Sequence, residues 1–464
     1  MWQDQVVETT ETKKDPRTEL ITGNLWRAIW VMSWPLLITT VATSLVGFTD
    51  LYVAGLLGSA AQASVGLSEH IIFMFQLFLM ATGTGTTAIV ARHWGAGNTR
   101  RATRFAAQSL LLSVTLGITL TIAGLLTAHF ALGIFSRSAE VNALGTMYLS
   151  IYGFAMIPMS IVYIANASFN AIGDSKTTLT IVLLMTVFQI GGDLLTVQHN
   201  WPVPGLGIRG VAYASVIGAT AASIFAIYRL NNSPLKLALK QMLPASRAMI
   251  NRVIKIGIPS AFQRLAWSMS VFGLFFILSS CKNPTEGQAA WAIGMRVEGL
   301  TFMPIMALSM AVASIIGQNL GARELDRAIS AGWRVTWIGV VMLSIMGVLL
   351  YVLAVPISAL MSPHEPITRE FVVSYLQINA TAQPFLALAM ILSGALQGAG
   401  DTKAPMWITF VCNWIIRLPV AYLMALTLNM ETAGCWWSMS ISCVVMGLLS
   451  AWRFKSLAWT KAHV

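Results

Sequence analysis

Seven acidic or basic side chains lie inside long apolar stretches of this chain. They are the acids Asp50, Glu69, Asp193 and Glu298 and the bases Arg264, Arg296 and Arg417. An ionisable group within a membrane is costly, and it often marks an ion or substrate pathway. A carboxyl group in a water-poor cavity is protonated more easily than one in water, so the acids are candidate proton carriers. These residues therefore indicate loading and release of a proton inside a membrane.

Two of these acids form the principal candidate site. Asp50 lies near the end of the first apolar stretch, and Asp193 lies near the end of the fifth. Each has a simpler interpretation, as a solvated carboxylate at a helix end. If the two stretches pack in one bundle, both carboxyls can face one cavity and share a proton. Tyr148, Gln189 and Ser215 could bridge them by hydrogen bonds, although each alone is also an ordinary interhelical contact residue.

Four residues are candidates for a substrate pathway: Glu69, Trp267, Arg296 and Glu298. Arg296 and Glu298 are two residues apart on one predicted helix, so they point about 200° apart and do not pair directly. A structural role is the alternative for this pair. Trp267 offers an aromatic face to a cationic compound.

Three other residues are expected to be structural. Pro35 and Pro259 can kink the helices that contain them, and Arg417 is expected to bind the carbonyls freed beside Pro419. The four cysteines show neither a metal-ligand spacing nor a disulfide framework. We therefore expect no bound metal and no cofactor.

The composition sets the class of protein. Of 464 residues, 56% are hydrophobic and only 10% are charged, and the mean hydropathy is +0.70. A soluble domain has roughly 25% charged residues. This excludes a soluble enzyme, a disordered chain and a nucleic-acid binder as first interpretations. No G-x-x-x-x-G-K-[ST] loop occurs, so an ion gradient is the expected energy source for any transport.

Twelve apolar segments, numbered here as spans 1 to 12, are long enough to cross a bilayer as helices. They run at about 26–51, 63–90, 105–130, 142–167, 175–197, 207–229, 252–279, 288–315, 333–355, 370–395, 405–427 and 433–452. With the N-terminus inside, 22 of the 29 basic residues fall in cytoplasmic stretches and 4 in the opposite loops. This asymmetry predicts that both termini are cytoplasmic.

The two halves of the chain repeat each other. Pro35 matches Pro259, Gly95-Ala96 matches Gly321-Ala322, and Gly173-Asp174 matches Gly400-Asp401, at offsets of 224, 226 and 227 residues. Because each half has six spans, both insert the same way round. We expect an all-α membrane protein of two six-helix bundles, related by a pseudo-two-fold axis along the membrane normal. The predicted boundaries are 1–24 for an N-terminal tail, 25–229 for the first bundle, 230–250 for a cytoplasmic linker, 251–455 for the second bundle and 456–464 for a second tail.

Several motifs in this order resemble the MATE family (multidrug and toxic compound extrusion). They are Pro35 with Asp50, Gly95-Ala96-Gly97-Asn98, Gly173-Asp174, Gly210-Val211-Ala212-Tyr213-Ala214-Ser215, Gly317-Gln318-Asn319-Leu320-Gly321-Ala322, and Gln397-Gly398-Ala399-Gly400-Asp401-Thr402. The resemblance covers the chain after residue 24. It implies export of organic cations and amphipathic drugs against a proton or sodium gradient.

Within that family the chain looks more like the DinF-type branch. The resemblance assigns a protonation network to Asp50, Asp193, Tyr148, Gln189 and Ser215, where Gln189 stands for an asparagine and Ser215 for a threonine. The NorM-type branch has a glutamate in span 7 and an aspartate in span 10. Here Trp267 lies about where that glutamate would be, and span 10 has no acid near Phe385. This difference favours protons over sodium as the coupling ion.

The expected function is proton-coupled antiport of a small, cationic or amphipathic molecule by a monomer in a bacterial inner membrane, in contact with lipids. No nucleic-acid partner and no enzymatic activity are expected. Three alternatives stay open: a sodium-coupled exporter, a flippase for lipid-linked oligosaccharides, and a passive channel or scaffold. A flippase would need several cationic residues in its cleft, where only Arg264 and Arg296 are obvious.

Overall fold

The fold is almost entirely helical. The computed structural model describes residues 20–135, 138–197, 206–236 and 241–462. Most of the predicted N-terminal tail, part of the predicted linker and the last two residues of the predicted second tail lie outside these ranges. Within them, eleven helices are long and apolar enough to cross a membrane, and a bent pair of helices completes a twelfth span. The prediction of a twelve-span, all-α membrane protein is confirmed.

The spans follow the predicted order. They are span 1 Leu25–Leu56, span 2 Ser59–Gly95, span 3 Thr99–Phe135, span 4 Ala139–Ile172, span 5 Ser175–Val197, span 6 Ile208–Asn231, span 7 Arg247–Leu278, span 8 Pro284–Gly321, span 9 Leu325–Val352, span 10 Pro366–Ala380 with Gln383–Gly398, span 11 Lys403–Thr427 and span 12 Glu431–Lys455. A short helix, Ala354–Met361, precedes span 10. Several spans extend beyond the apolar segments because their polar ends continue the helix outside the hydrocarbon.

Three spans depart from regular helix. Span 4 contains a 3₁₀ turn at Gly153–Ala155, and span 11 contains π-helical segments at Val411–Arg417 and Leu423–Thr427. The two parts of span 10 meet at an angle of 57°. Pro384 is one of the first residues of the second part, where the missing backbone N–H leaves no unpaired donor. Such irregular backbone is tolerated in a membrane when neighbouring helices bury it.

Large apolar side chains cover the outside of the spans. Leu126 is 78% exposed and Phe276 is 76% exposed, an arrangement that suits contact with lipid tails. Inside, small residues such as Ala88 and Ala311 are fully buried. They allow helices to approach closely, which membrane helices use in place of a hydrophobic driving force.

The matched Gly-Asp pairs join consecutive spans. Gly173 and Gly400 have φ angles of +92° and +90°, the left-handed conformation that favours glycine. Asp174 Oδ1 accepts a hydrogen bond from the backbone N–H of Thr177 at 3.1 Å, and Asp401 Oδ1 accepts one from Ala404 at 3.4 Å. Each glycine therefore ends a helix, and each aspartate side chain accepts a hydrogen bond at the start of the next.

The repeat is visible where the two bundles meet at the end of the molecule that carries most of the basic residues. A Cβ on Gly95 of span 2 would overlap the carbonyl oxygen of Gln318 in span 8, and a Cβ on Gly321 would overlap that of Arg92. Gln318 is the repeat equivalent of Arg92, so the two contacts are the same contact in the two halves. Gln318 also donates to the Ala171 carbonyl at 2.7 Å. The bundles are thus packed backbone against backbone at this end, which we call the basic end.

A larger side chain at either glycine is expected to open the basic end. Gly321→Val adds atoms where a carbonyl already lies, and overpacking costs about 1–3 kcal/mol, a roughly 5- to 150-fold shift in a two-state equilibrium. With the native cysteines replaced, a cysteine at buried Ala171 should then react faster with a water-soluble maleimide. Gly66→Val is the control, since a Cβ there meets nothing within 4 Å. Equal labelling rates in both variants would contradict this expectation.

Candidate functional site

The structure brings Asp50 and Asp193 together. Spans 1 and 5 pack along each other in the first bundle. Asp50 is 5% exposed and Asp193 is fully buried. The two carboxyl groups interact by a side-chain hydrogen bond and by charge. Because such a bond between carboxyls needs a proton on one of them, the pair has a place to hold H⁺.

Gln189 connects this pair to span 6. It lies one turn before Asp193 on span 5, so the two side chains share a helix face. Its Nε2 donates to Asp50 Oδ2 at 3.1 Å and to Ser215 Oγ at 2.9 Å. Ser215 in turn donates to the Val211 carbonyl at 3.2 Å. We call Asp50, Asp193, Gln189 and Ser215 the carboxyl cluster.

Tyr148, the fifth predicted member, lies beside the cluster without bridging it. Its ring is fully buried and stacks on that of Tyr152 at 5.8 Å between centroids. Asp50 and Asp193 are among its electrostatic neighbours. Its hydroxyl makes no hydrogen bond with any residue that the structure describes. Tyr148 therefore packs against the site, and Gln189 is the side chain that makes the hydrogen bonds.

A line of polar side chains runs from this region towards the second bundle. Glu69 in span 2 is half-buried. Asp50 is an electrostatic neighbour both of Glu69 and of Tyr152 in span 4. Gln76 Nε2 donates to Tyr152 Oη at 3.5 Å. Tyr163 Oη donates to Gln76 Oε1 at 3.3 Å. The sequence predicted Glu69 as a candidate, whereas the three residues of this line, Gln76, Tyr152 and Tyr163, were not predicted.

The second bundle contains a different acid site. Glu298 is 6% exposed. Its carboxylate accepts hydrogen bonds from Tyr375 Oη at 2.6 Å and from Gln383 Nε2 at 3.0 Å. Arg417 is an electrostatic neighbour of both Glu298 and Tyr375. This acid therefore has bonded donors and a nearby cation, which together stabilise its charge.

The remaining predicted residues differ in their surroundings. Arg417 Nε donates to Ser442 Oγ at 2.8 Å in span 12. This corrects the expectation that it binds carbonyls beside Pro419, because a neighbouring helix supplies the acceptor instead. Arg296 and Trp267 are exposed, and neither lies in the carboxyl cluster. Pro35 and Pro259 lie inside spans 1 and 7.

Tyr375 is not among the residues predicted from the sequence, although the internal repeat contains a signal for it. The sequence Tyr148-Leu149-Ser150-Ile151 matches Tyr375-Leu376-Gln377-Ile378 at an offset of 227, the same offset as the Gly-Asp pairs. A buried tyrosine thus lies beside an acid in each bundle. The acids themselves, Asp50 and Glu298, are not repeat equivalents. The two halves therefore have a tyrosine at equivalent positions, and each tyrosine lies beside a different acid site.

Comparison with known proteins decides the family. The family described as MatE matches residues 35–195 and 259–423, one segment in each bundle. The chain belongs to the MATE family. A relative named as a probable multidrug resistance protein NorM from Thermotoga maritima is 26% identical over 438 residues, covering 93% of each chain. The probable multidrug resistance protein YoeA of Bacillus subtilis is 24% identical, over 95% of this chain and 96% of its own.

Solved MATE structures share the fold. An outward-facing MATE transporter superposes with a TM-score of 0.89 at 21% identity, over 97% of this chain and 99% of its own. A MATE crystal structure in complex with MaL6 superposes with a TM-score of 0.88 at 22% identity, over 96% and 99% of the two chains. This MATE chain is therefore a multi-pass membrane transporter with the twelve-span fold.

Proposed function

We propose that this protein is an antiporter that exports organic cations or amphipathic drugs and metabolites in exchange for protons. Membership of a transporter family supports the general activity. The names of the relatives, which describe multidrug resistance proteins, support drug-like substrates. The carboxyl cluster supports the coupling ion. We place the protein in a bacterial inner membrane as a monomer, with both termini in the cytoplasm.

The observation that carries the proposal is the contact between Asp50 and Asp193. Two ionised carboxylates repel each other strongly where little water is present. The other hydrogen-bonding partner of Asp50 is the neutral amide of Gln189. The pair therefore stays in place only while it holds a proton or another cation. Loss of that ion changes the balance of forces between spans 1 and 5, which gives the first bundle two states.

The exchange follows from the different preferences of these two states. In our proposal, protonation of Asp50 and Asp193 rearranges spans 1 to 6 and weakens substrate binding, so the substrate is released outside. The proton and the substrate need not touch, since each only has to favour an opposite state of the same bundle. An inward proton gradient then drives export.

The orientation of Gln189 favours protons over sodium. Its N–H groups face Asp50 and Ser215, where a sodium ion would need the amide oxygen instead. Carboxylate oxygens that accept amide hydrogen bonds have fewer lone pairs left for a metal ion. The Gln189 amide would have to turn over before its oxygen could join those of Asp50, Asp193 and Ser215 around a sodium ion. A sodium-coupled exporter therefore ranks second. The cluster also supports the predicted DinF-type branch.

Vesicles containing the purified protein test the coupling ion. We expect a pH gradient alone to drive movement of a fluorescent organic cation, at a rate that does not change when sodium is replaced by potassium. A sodium gradient at equal pH on both sides should drive none. Transport that needs sodium would reverse the assignment of the ion, and equal flux without any gradient would indicate a channel.

A further inference from the structure

Arg264 lies where the two bundles meet, near the middle of span 7. Gly257, Ser260 and Arg264 are spaced three and four residues apart, so they share one face of this helix. That face packs on span 2, because a Cβ on Gly257 would lie 2.6 Å from the Ala81 carbonyl and Ser260 Oγ donates to Thr84 Oγ1 at 3.4 Å. The electrostatic neighbour of Arg264 is Tyr163 of span 4. An arginine of the second bundle thus faces the first.

No acid balances this arginine among the residues that the structure describes. Its side chain is half-buried, and its Nε atom is buried without a hydrogen-bond partner among the residues that the structure describes. Within the same residues no carboxylate lies within ion-pair distance of it; the ion pairs are Lys282–Glu431 and Asp401–Arg453. Arg417 offers a contrast, since it bonds Ser442 and lies near Glu298. A bare guanidinium at this depth is costly, so a retained one indicates a ligand.

The chemistry of a guanidinium defines that ligand. Its planar fork of N–H donors matches the two oxygens of a carboxylate or phosphate, and such pairs are stronger where water is scarce. We propose that Arg264 binds an oxyanionic group, a carboxylate or a phosphate, on an amphipathic substrate held between the bundles. The substrates then include zwitterions as well as simple organic cations. This inference rests on the proposed export function and specifies its substrate class.

The polar line described above connects this position to the carboxyl cluster. Tyr163 is an electrostatic neighbour of Arg264, Gln76 accepts a hydrogen bond from Tyr163 at 3.3 Å and donates one to Tyr152 at 3.5 Å, and Asp50 is an electrostatic neighbour of Tyr152. A bound oxyanion neutralises Arg264 at one end of this line, and a proton neutralises the carboxyl pair at the other. The three side chains between them all belong to the first bundle, and their line ends at the face of that bundle that packs on span 7.

Matched pairs of dyes test the proposal. The probes are a panel of fluorescent amphipathic acids with their ethyl esters, and phosphate monoesters with the parent alcohols. Binding to the detergent-purified full chain is measured by fluorescence anisotropy, so no gradient is needed. We expect acids or phosphates to bind more tightly than their neutral counterparts. Arg264→Gln should weaken their binding at least about tenfold, the effect of losing about 1.4 kcal/mol, and leave the esters and alcohols unchanged.

Two further variants separate binding from folding. Arg264→Lys keeps the charge and should retain part of the preference for acids. Arg209→Gln removes an exposed arginine that bonds Met147 Sδ at 2.9 Å, and it should behave as the wild type. A preference for neither acids nor phosphates in the panel would overturn the proposal, as would equal losses for acid and ester in Arg264→Gln. Failure of the export function itself is distinguishable, because it would show as absent pH-driven movement of the fluorescent organic cation in wild-type vesicles.

Discussion

Replacing Asp50 with Asn is expected to abolish export driven by a pH gradient while the protein still folds. Asparagine has nearly the shape of aspartate, and its side-chain oxygen can still accept the hydrogen bond that Gln189 Nε2 donates at 3.1 Å. It cannot bind and release a proton, so the first bundle loses the switch between its two states. The initial rate of dye movement in vesicles should fall to that of protein-free vesicles. Asp193→Asn should have the same effect, since the carboxyls act as a pair.

A matched control separates coupling from general damage. Asp326→Asn changes an exposed aspartate in the first turn of span 9, and it should transport as the wild type does. Substrate binding to Asp50→Asn in detergent should persist and should lose its dependence on pH. Full proton-driven transport by Asp50→Asn, with thermal unfolding unchanged, would refute the coupling role of this residue.

Replacing Glu298 with Gln is expected to cause the largest loss of stability among the acid-to-amide changes. The change removes a charge that accepts hydrogen bonds from Tyr375 and Gln383 and leaves Arg417 buried without its nearby acid. Hydrogen bonds to a charged group contribute about 1.5–3 kcal/mol, and breaking a direct buried ion pair costs about 3–5 kcal/mol. We expect about 2–3 kcal/mol, because Arg417 is a neighbour of Glu298 without a direct ion pair. The melting temperature of the purified protein measures this.

Arg417, the electrostatic neighbour of Glu298, provides the control for this prediction. If Arg417 and Glu298 balance each other, the double variant Glu298→Gln with Arg417→Gln should lose less than the sum of the two single changes. Glu365→Gln, at an exposed position before span 10, should leave the melting temperature unchanged. Strict additivity of the two losses would show that the residues do not interact.

Much of the carboxyl cluster could be predicted from sequence. Asp193 and Gln189 are four residues apart, so any helix places them on one face. The packing of span 5 on span 1 is a condition of the prediction that follows from bundle architecture, and the resemblance to a known family implies the same residues. What could not be predicted was which polar side chain completes the bonds, because rotamers depend on packing. Gln189 reaches both Asp50 and Ser215, whereas Tyr148 turns to stack on Tyr152.

The second bundle was less predictable because its contacts join distant parts of the chain. Glu298 meets Tyr375 across 77 residues of sequence. The carbonyls beside Pro419 are the acceptors that the sequence predicts for Arg417, but Ser442 on span 12 accepts the hydrogen bond from its Nε. The 57° bend in span 10 depends on how the two halves of that span pack. Local signals identify such positions, and tertiary packing decides their partners.

The central claim is that the carboxyl pair gives up H⁺ when substrate binds. A direct measurement is the proton release on adding a transported cation to purified protein in weakly buffered solution with a pH indicator. The wild type should release about one proton for each substrate bound, since the pair titrates as a unit, and the Asp50→Asn, Asp193→Asn double variant should release none while still binding. Binding by the wild type without proton release, or the same release by the double variant, would contradict the account.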